Sequence, residues 1–204
     1  MKYLVISDIH GSAESLEKAL DCFGKQADYL LLCGDYLNHG PRNPLPEGWN
    51  PKQVASVLNK NKERIICVRG NCDAEVDEMV LEFPCLAAYT TVFDSNRRIF
   101  VHHGHLYNRE KLENWLPKGT LIVSGHTHVT VLEESNGFYY FNPGSISLPK
   151  CDDGKTCGLI DVSSDGKIKV GLYTIEGKLL RSLDFEKNLI GRRVLSAGFL
   201  LNRF

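Results

Sequence analysis

Five short apolar segments in the first two thirds of the chain are each followed, within a residue or three, by side chains that ligate metal ions. Asp8-Ile9-His10 follows the first and Gly34-Asp35 the second; Gly70-Asn71-Cys72-Asp73 follows the third, His103-Gly104-His105 the fourth and Gly125-His126-Thr127-His128 the fifth. Carboxylate, imidazole and amide oxygen, with no obvious thiolate, suit a divalent ion of the manganese, iron or zinc kind. Asp8, His10, Asp35, Asn71, His103, His126 and His128 are too many donors for one tetrahedral ion. They suffice for two ions that share a carboxylate. Such a pair, about 3.5–4 Å apart, generates a bridging hydroxide at neutral pH and clamps both the entering and the leaving oxygen of a phosphoryl group.

The elements that must hold these residues alternate strand and helix. Lys2–Ser7 reads as a strand, and Ser12 as the cap of a helix to Phe23, with Leu16, Ala19, Leu20 and Phe23 on one face. Asp28–Cys33 is a second strand, and residues 38–50 form a loop rich in Pro and Gly. Asn50-Pro51 opens a helix to about Asn61. Arg64–Val68, Arg98–Val101 and Leu121–Val123 read as strands, Ala74–Leu81 and Arg109–Leu116 as helices. Beyond Thr130 the pattern becomes strand after strand, beginning with a hairpin around Asn136-Gly137 and continuing through Gly158–Val162, Ile168–Tyr173 and Lys178–Phe185. One α/β domain with these two regimes is most simply two packed sheets with helices outside, an αββα sandwich of four layers. In such sheets a ligand crevice lies outside the carboxyl ends of the strands, where the five motifs fall.

The 204 residues carry a net charge of −1, which supplies no field to gather a long nucleic acid. No stretch has the length of a membrane span, and the run after Lys2 is broken by Ser7, Asp8 and His10, so no signal-peptide core is expected. Seven cysteines without a CxxC pair read as reduced thiols of a cytoplasmic protein.

The ordered set DxH, GD, GNxD, HGH, GHTH resembles the signature of the metallophosphoesterase (calcineurin-like) superfamily from Met1 to about Lys150, and the likeness continues to about Phe185. The resemblance implies an αββα sandwich of two packed mixed sheets flanked by helices. It also implies two divalent ions, most often Mn2+, with Zn2+, Fe2+ or Ni2+ as alternatives, and hydrolysis of a small phosphodiester. Matched motif by motif, Asp8, His10 and His128 would hold one ion and Asn71, His103 and His126 the other, with Asp35 bridging. Cys72 stands where many members have a histidine that supports the leaving group; Cys72, His105 and Asp73 are the candidates for catalysis beyond the ligands. Arg42 and His39, on the long loop, are candidates to meet the substrate phosphate; solvated loop residues are the alternative. A phosphomonoesterase or a nuclease on the same site, and a non-catalytic binding module like the retromer scaffold, are the competing readings, and homo-oligomerisation is left open. The domain is expected to span 1–185, with 186–204 an amphipathic tail.

Overall fold

Along β1 (Lys2–Ile6) every residue after the first is buried: Tyr3 and Val5 point to one face, Leu4 and Ile6 to the other. A strand buried on both faces needs a layer above and a layer below. The computed structural model, which describes residues 1–185, supplies both. The expected tail at 186–204 lies outside the described residues.

In chain order the further elements are α1 (Ala13–Phe23), β2 (Tyr29–Leu32), α2 (Pro51–Asn59), β3 (Ile65–Cys67), β4 (Tyr89–Asp94), β5 (Arg97–His102), α3 (Arg109–Trp115), β6 (Leu121–Val123), β7 (Val131–Ser135), β8 (Phe138–Asn142), β9 (Thr156–Val162), β10 (Ile168–Thr174) and β11 (Leu179–Phe185). One sheet runs β11-β10-β9-β1-β2-β3 and the other β4-β5-β6-β8-β7. Val5, Leu31, Val101, Val123 and Phe141 meet between the sheets. On the far side of the larger sheet Leu4, Leu30 and Leu32 pack under Leu16 and Phe23 of α1 and Val54 and Leu58 of α2. On the far side of the smaller one Phe100, Ile122 and Tyr140 pack under Leu112 of α3. The result is helix, sheet, sheet, helix. Each fully buried Leu, Val or Phe stabilises this arrangement by roughly 1.5–3 kcal/mol before entropy is counted.

The strand directions position the site. β1, β2 and β3 are mutually parallel, and so are β5, β6 and β8, so the carboxyl ends of each set gather at one edge of its sheet. The helix caps are those the sequence announces: Ser15 N donates to Ser12 Oγ at 3.4 Å, and Gln53 N to Asn50 Oδ1 at 3.1 Å, with Pro51 in the first turn. The hairpin turn is also as read, with φ of 53° at Asn136 and 79° at Gly137.

Two elements differ from expectation. The helix expected over Ala74–Leu81 is a short 3₁₀ turn at Glu75–Met79, because Val76, Met79 and Val80 are exposed and no apolar stripe faces the core. β4, which the sequence reading does not mark, is an edge strand with Tyr89 and Phe93 exposed, so it lacks the buried run that identifies the central strands.

Candidate metal centre

At the strand ends the backbone itself is unusual. Eight non-glycine residues among those described have positive φ; three lie in hairpin turns, and the other five are Asp8 (54°), His10 (48°), Asp35 (58°), His126 (69°) and His128 (59°). Left-handed backbone at a residue with a Cβ is uncommon and costs of order 1–3 kcal/mol, so it persists only where the surroundings over-determine it. Here the neighbours are glycines. A Cβ on Gly125 would collide with Ser7 Oγ and Asp8 Oδ2, and one on Gly34 would come within 2.5 Å of Gly70 N and 2.8 Å of His103 Nδ1. The loops touch backbone to backbone, and the ligand side chains are turned inward.

Three imidazoles are fixed in the same way. Nδ1 of His10 lies 2.8 Å from Asn38 O, Nδ1 of His103 2.6 Å from Cys33 O, and Nδ1 of His128 2.5 Å from Leu148 O. A backbone carbonyl only accepts, so each Nδ1 carries the proton and each Nε2 is left facing the cage. Nε2 of His10 and Nε2 of His128 then face each other at 3.1 Å. Nε2 of His103 lies 3.0 Å from Asn71 Oδ1 and 3.4 Å from Asp35 Oδ2. Lone pairs meet lone pairs at these places, and something positive must stand between them.

The carboxylates make the same demand. Asp8 is fully buried; its Oδ2 accepts from Ser7 Oγ at 2.5 Å and His126 N at 3.0 Å. Its Oδ1 has no hydrogen-bond partner and faces Nε2 of His128 at 3.2 Å and of His10 at 3.6 Å. Asp35 Oδ1 accepts from Cys72 N at 2.8 Å, while Oδ2 stands between the two halves, 3.7 Å from His10 Nε2 and 3.4 Å from His103 Nε2. Without a cation the cage balances itself with protons. Burial works against a charged His103, yet the bond to Asp35 and the charges of Asp8 and Asp35 push its pKa up to about 9. His10 rises too, against its own burial, through Asp8, Asn38 and Asp35. Burial would raise the Asp8 pKa, but His10 and His128 hold it well below the usual carboxylate range. A divalent ion entering such a cage displaces protons already concentrated there, and the donor set fits one well.

The structure therefore brings Asp8, His10, Asp35, Asn71, His103 and His128 to one cage, with Asp8/His10/His128 and Asp8/Asp35/His103 each presenting donor atoms within 4.8 Å of one another. His126 is beside it, its half-buried ring 5.1 Å from that of His103, centroid to centroid. Cys72 is drawn closer than the sequence suggests: its sulfur joins His10 and Asp35 in a third such group. Burial, then Asp35, pushes the Cys72 thiol up to about 12, so it stands there as a neutral S–H. Arg42 and Cys72 line, with Asp35, Asn71, His126 and His128, an open crevice of about 830 Å³.

Other candidates sit elsewhere. The Asp73 carboxylate, 1 % exposed, accepts from Asp35 N and Tyr36 N at 2.8 Å and Gly70 N at 2.6 Å, tying two ligand loops together. The His105 ring packs against His103 and His126, with centroids 5.3 and 6.1 Å away. His39 stands edge-on to Trp49 in a neighbouring apolar hollow with Leu37 and Val80. Sequence reasoning passed over Ser7 and Ser147: Ser147 Oγ and Ser145 Oγ both donate to Asp8 O, at 2.9 and 2.7 Å. A serine gives no sequence signal of such a task.

A sandwich of this order with imidazoles and carboxylates caged at its strand ends defines a metal-dependent hydrolase. Residues 1–165 match the calcineurin-like phosphoesterase superfamily domain, and the chain belongs to that superfamily, as a metal-dependent phosphoesterase. It is 45 % identical over 162 residues to the phosphodiesterase YfcE of Escherichia coli (strain K12), covering 79 % of this chain and 88 % of that one. The solved structure of E. coli YfcE, described as a phosphoesterase, superposes with a TM-score of 0.81 at 38 % identity, over 90 % of this chain and 98 % of YfcE. Zinc-complexed Vps29 of Entamoeba histolytica, at 22 % identity and a TM-score of 0.64 over 91 % of this chain and 100 % of its own, shares the fold.

Proposed function

We propose that the chain is a phosphodiesterase that works with two divalent cations, manganese foremost and zinc, iron or nickel as alternatives. The observation that carries this reading is the pair of inward Nε2 atoms of His10 and His128, 3.1 Å apart, with both Nδ1 atoms committed to backbone carbonyls. Asp8, His10 and His128 would hold one ion and Asn71, His103 and His126 the other, with Asp35 shared; the central position of Asp35 Oδ2 supports that division. Bound there, two such ions supply a nucleophilic water of lowered pKa and neutralise a phosphoryl group's charge. Arg42 meets a nonbridging oxygen through its planar guanidinium. Cys72 stands at the crevice wall, where its S–H donates toward a leaving oxygen, and His105 orients His103 and His126. Asp73 acts as a positioning residue, holding the Asp35 and Asn71 loops in register.

The identity to a phosphodiesterase favours diesters over monoesters. The net charge of −1 argues against long nucleic acid. Against a scaffold role stands a full set of seven ligand positions. Among the described residues no helix is long and apolar enough to cross a membrane, and all seven cysteines are free, which suits a cytoplasmic enzyme.

Protein stripped with chelator and reloaded with Mn2+ should hydrolyse bis(p-nitrophenyl) phosphate faster than p-nitrophenyl phosphate, and chelator should abolish both activities. Failure to turn over the diester with any of the four metals would overturn the reading.

A further inference from the structure

The hollow beside His39 has a volume of about 390 Å³ and walls from three places in the chain. The loop after β2 gives Leu37 and His39, and the start of α2 gives Trp49 and Ala55; the 3₁₀ turn and the residue after it give Val76 and Val80. Trp49, Val76 and Val80 remain 45 %, 61 % and 50 % exposed. Large apolar side chains left open to water and gathered in one place mark a contact site. The acid at the edge, Asp77, is already occupied: its Oδ2 accepts from Ala74 N at 2.8 Å.

One strand of chain divides this hollow from the metal crevice, and Asn38 lines both. The Asn38 carbonyl takes the Nδ1 proton of His10 at 2.8 Å, and two residues further on a Cβ built on Gly40 would lie 2.8 Å from Cys72 Sγ. On the other side, a Cβ on Gly11 would meet Leu37 O at 2.6 Å and Trp49 Nε1 at 2.7 Å. The indole therefore abuts the residue that follows a ligand histidine. The crevice itself offers the organic part of an ester little: among the described residues, Pro41 and Pro44 are the only aliphatic rings on its walls, and no Phe, Tyr, Trp, Leu, Ile or Val lines it.

We propose that the hollow is a specificity pocket for the ester group that stays on phosphorus, and that this group carries an aromatic ring on a short flexible spacer. The inference rests on the phosphodiesterase reading above. The phosphoryl group sits in the crevice, the spacer crosses Asn38, and the ring enters the hollow against Trp49, Val76 and Val80. An aromatic ring gains more there than an alkyl chain of equal area, because Trp49 and the edge-on His39 offer ring partners. A ring bonded directly to a phosphoryl oxygen stays in the crevice, since the Asn38–Gly40 segment stands in its way.

The test compares methyl p-nitrophenyl phosphate with 3-phenylpropyl p-nitrophenyl phosphate on the Mn2+-loaded full chain. Both consume water and release p-nitrophenol, so the leaving group is constant and only the retained ester differs. The phenylpropyl ester should show a kcat/KM at least about tenfold higher, chiefly through KM, the gain expected from burying a ring. Val76→Asp and Val80→Asp should each cut that ratio to about threefold or less, because a carboxylate beside the ring must be desolvated. Both valines are exposed, so either variant carries the test if the other fails to fold. Binding is read separately in Trp115→Phe, whose remaining indole is Trp49. Methyl 3-phenylpropyl phosphate should change its fluorescence saturably, and dimethyl phosphate should not. Equal kcat/KM for the two nitrophenyl esters, a preference that survives in either valine variant, or no saturable fluorescence change would each overturn the pocket alone. Turnover of neither ester would overturn the phosphodiesterase reading and the pocket with it.

Discussion

Replacing Asp35 by Asn removes one negative charge from the middle of the cage and leaves the side chain's shape intact. Oδ2 lies 3.7 Å from the inward nitrogen of His10 and 3.4 Å from that of His103, so it serves both halves at once. Between unit charges about 3.5 Å apart, at an effective dielectric near 20, the interaction is worth roughly 5 kcal/mol. The amide oxygen keeps part of that, and a net loss of about 2–3 kcal/mol per ion corresponds to a metal affinity ~30- to 150-fold weaker. Both ions should weaken together. Elemental analysis after desalting should find the variant depleted, and added Mn2+ should raise its melting temperature much less than that of the wild type. Diester turnover should fall in step. In metal-free protein, where burial opposes but Asp35 and Asp8 sustain the His103 pKa of about 9, the variant should show a lower His103 midpoint by NMR. Two ions per chain and near wild-type turnover in Asp35→Asn would refute the shared carboxylate. Loss of one ion alone would confine Asp35 to half the cage.

Three further outcomes follow from the same geometry. His102 is buried, its Nδ1 has no partner, and burial, then the charges of His103 and His105, depress its pKa to about 4. Its stabilising contribution is complete above the unfolded value near 6.5 and is lost as pH falls toward 4, so at pH 5 about 2 kcal/mol is gone. Metal-free His102→Phe should therefore lose about 2 kcal/mol less than wild type between pH 7.5 and 5 in urea unfolding; parallel losses would count against a neutral buried imidazole. Gly125→Ala should lower stability by about 2 kcal/mol or more and deplete metal, because its Cβ meets Ser7 and Asp8; an unchanged denaturation midpoint would contradict the close loop approach. Cys72→His should change kcat on diesters more than Mn2+ content, and equal losses of both would remove Cys72 from the leaving-group side.

Much of the arrangement could be read from the chain because its strands are short and end in ligands. Once β1, β2, β3, β5 and β6 are recognised as apolar segments, parallel pairing alone carries their ends to a common edge of each sheet. Ser12 and Asn50 announce their helices through local hydrogen bonds, which depend on near neighbours only. What escaped depends on distant partners. The left-handed backbone at Asp8, His10, Asp35, His126 and His128 has no signature in the residues themselves, because contacts between loops far apart in sequence force it. Asp73 stands among the catalytic candidates because it follows Asn71, and its carboxylate accepts from Gly70 N nearby, but its two bonds to Asp35 N and Tyr36 N depend on a loop far along the chain. β4 escaped because an edge strand owes its apolar residues to only one neighbour.

The strained backbone at the metal ligands has a consequence for evolution in the laboratory. Glycine adopts positive φ without steric cost, so glycine at any of these positions relieves tension while erasing a donor. Selection for heat resistance alone, with no demand for turnover, should drift toward such replacements and yield robust, inert descendants. Selection for turnover would hold the tension in place, and thermal hardening would then have to come from helices and surface far from the strand tips.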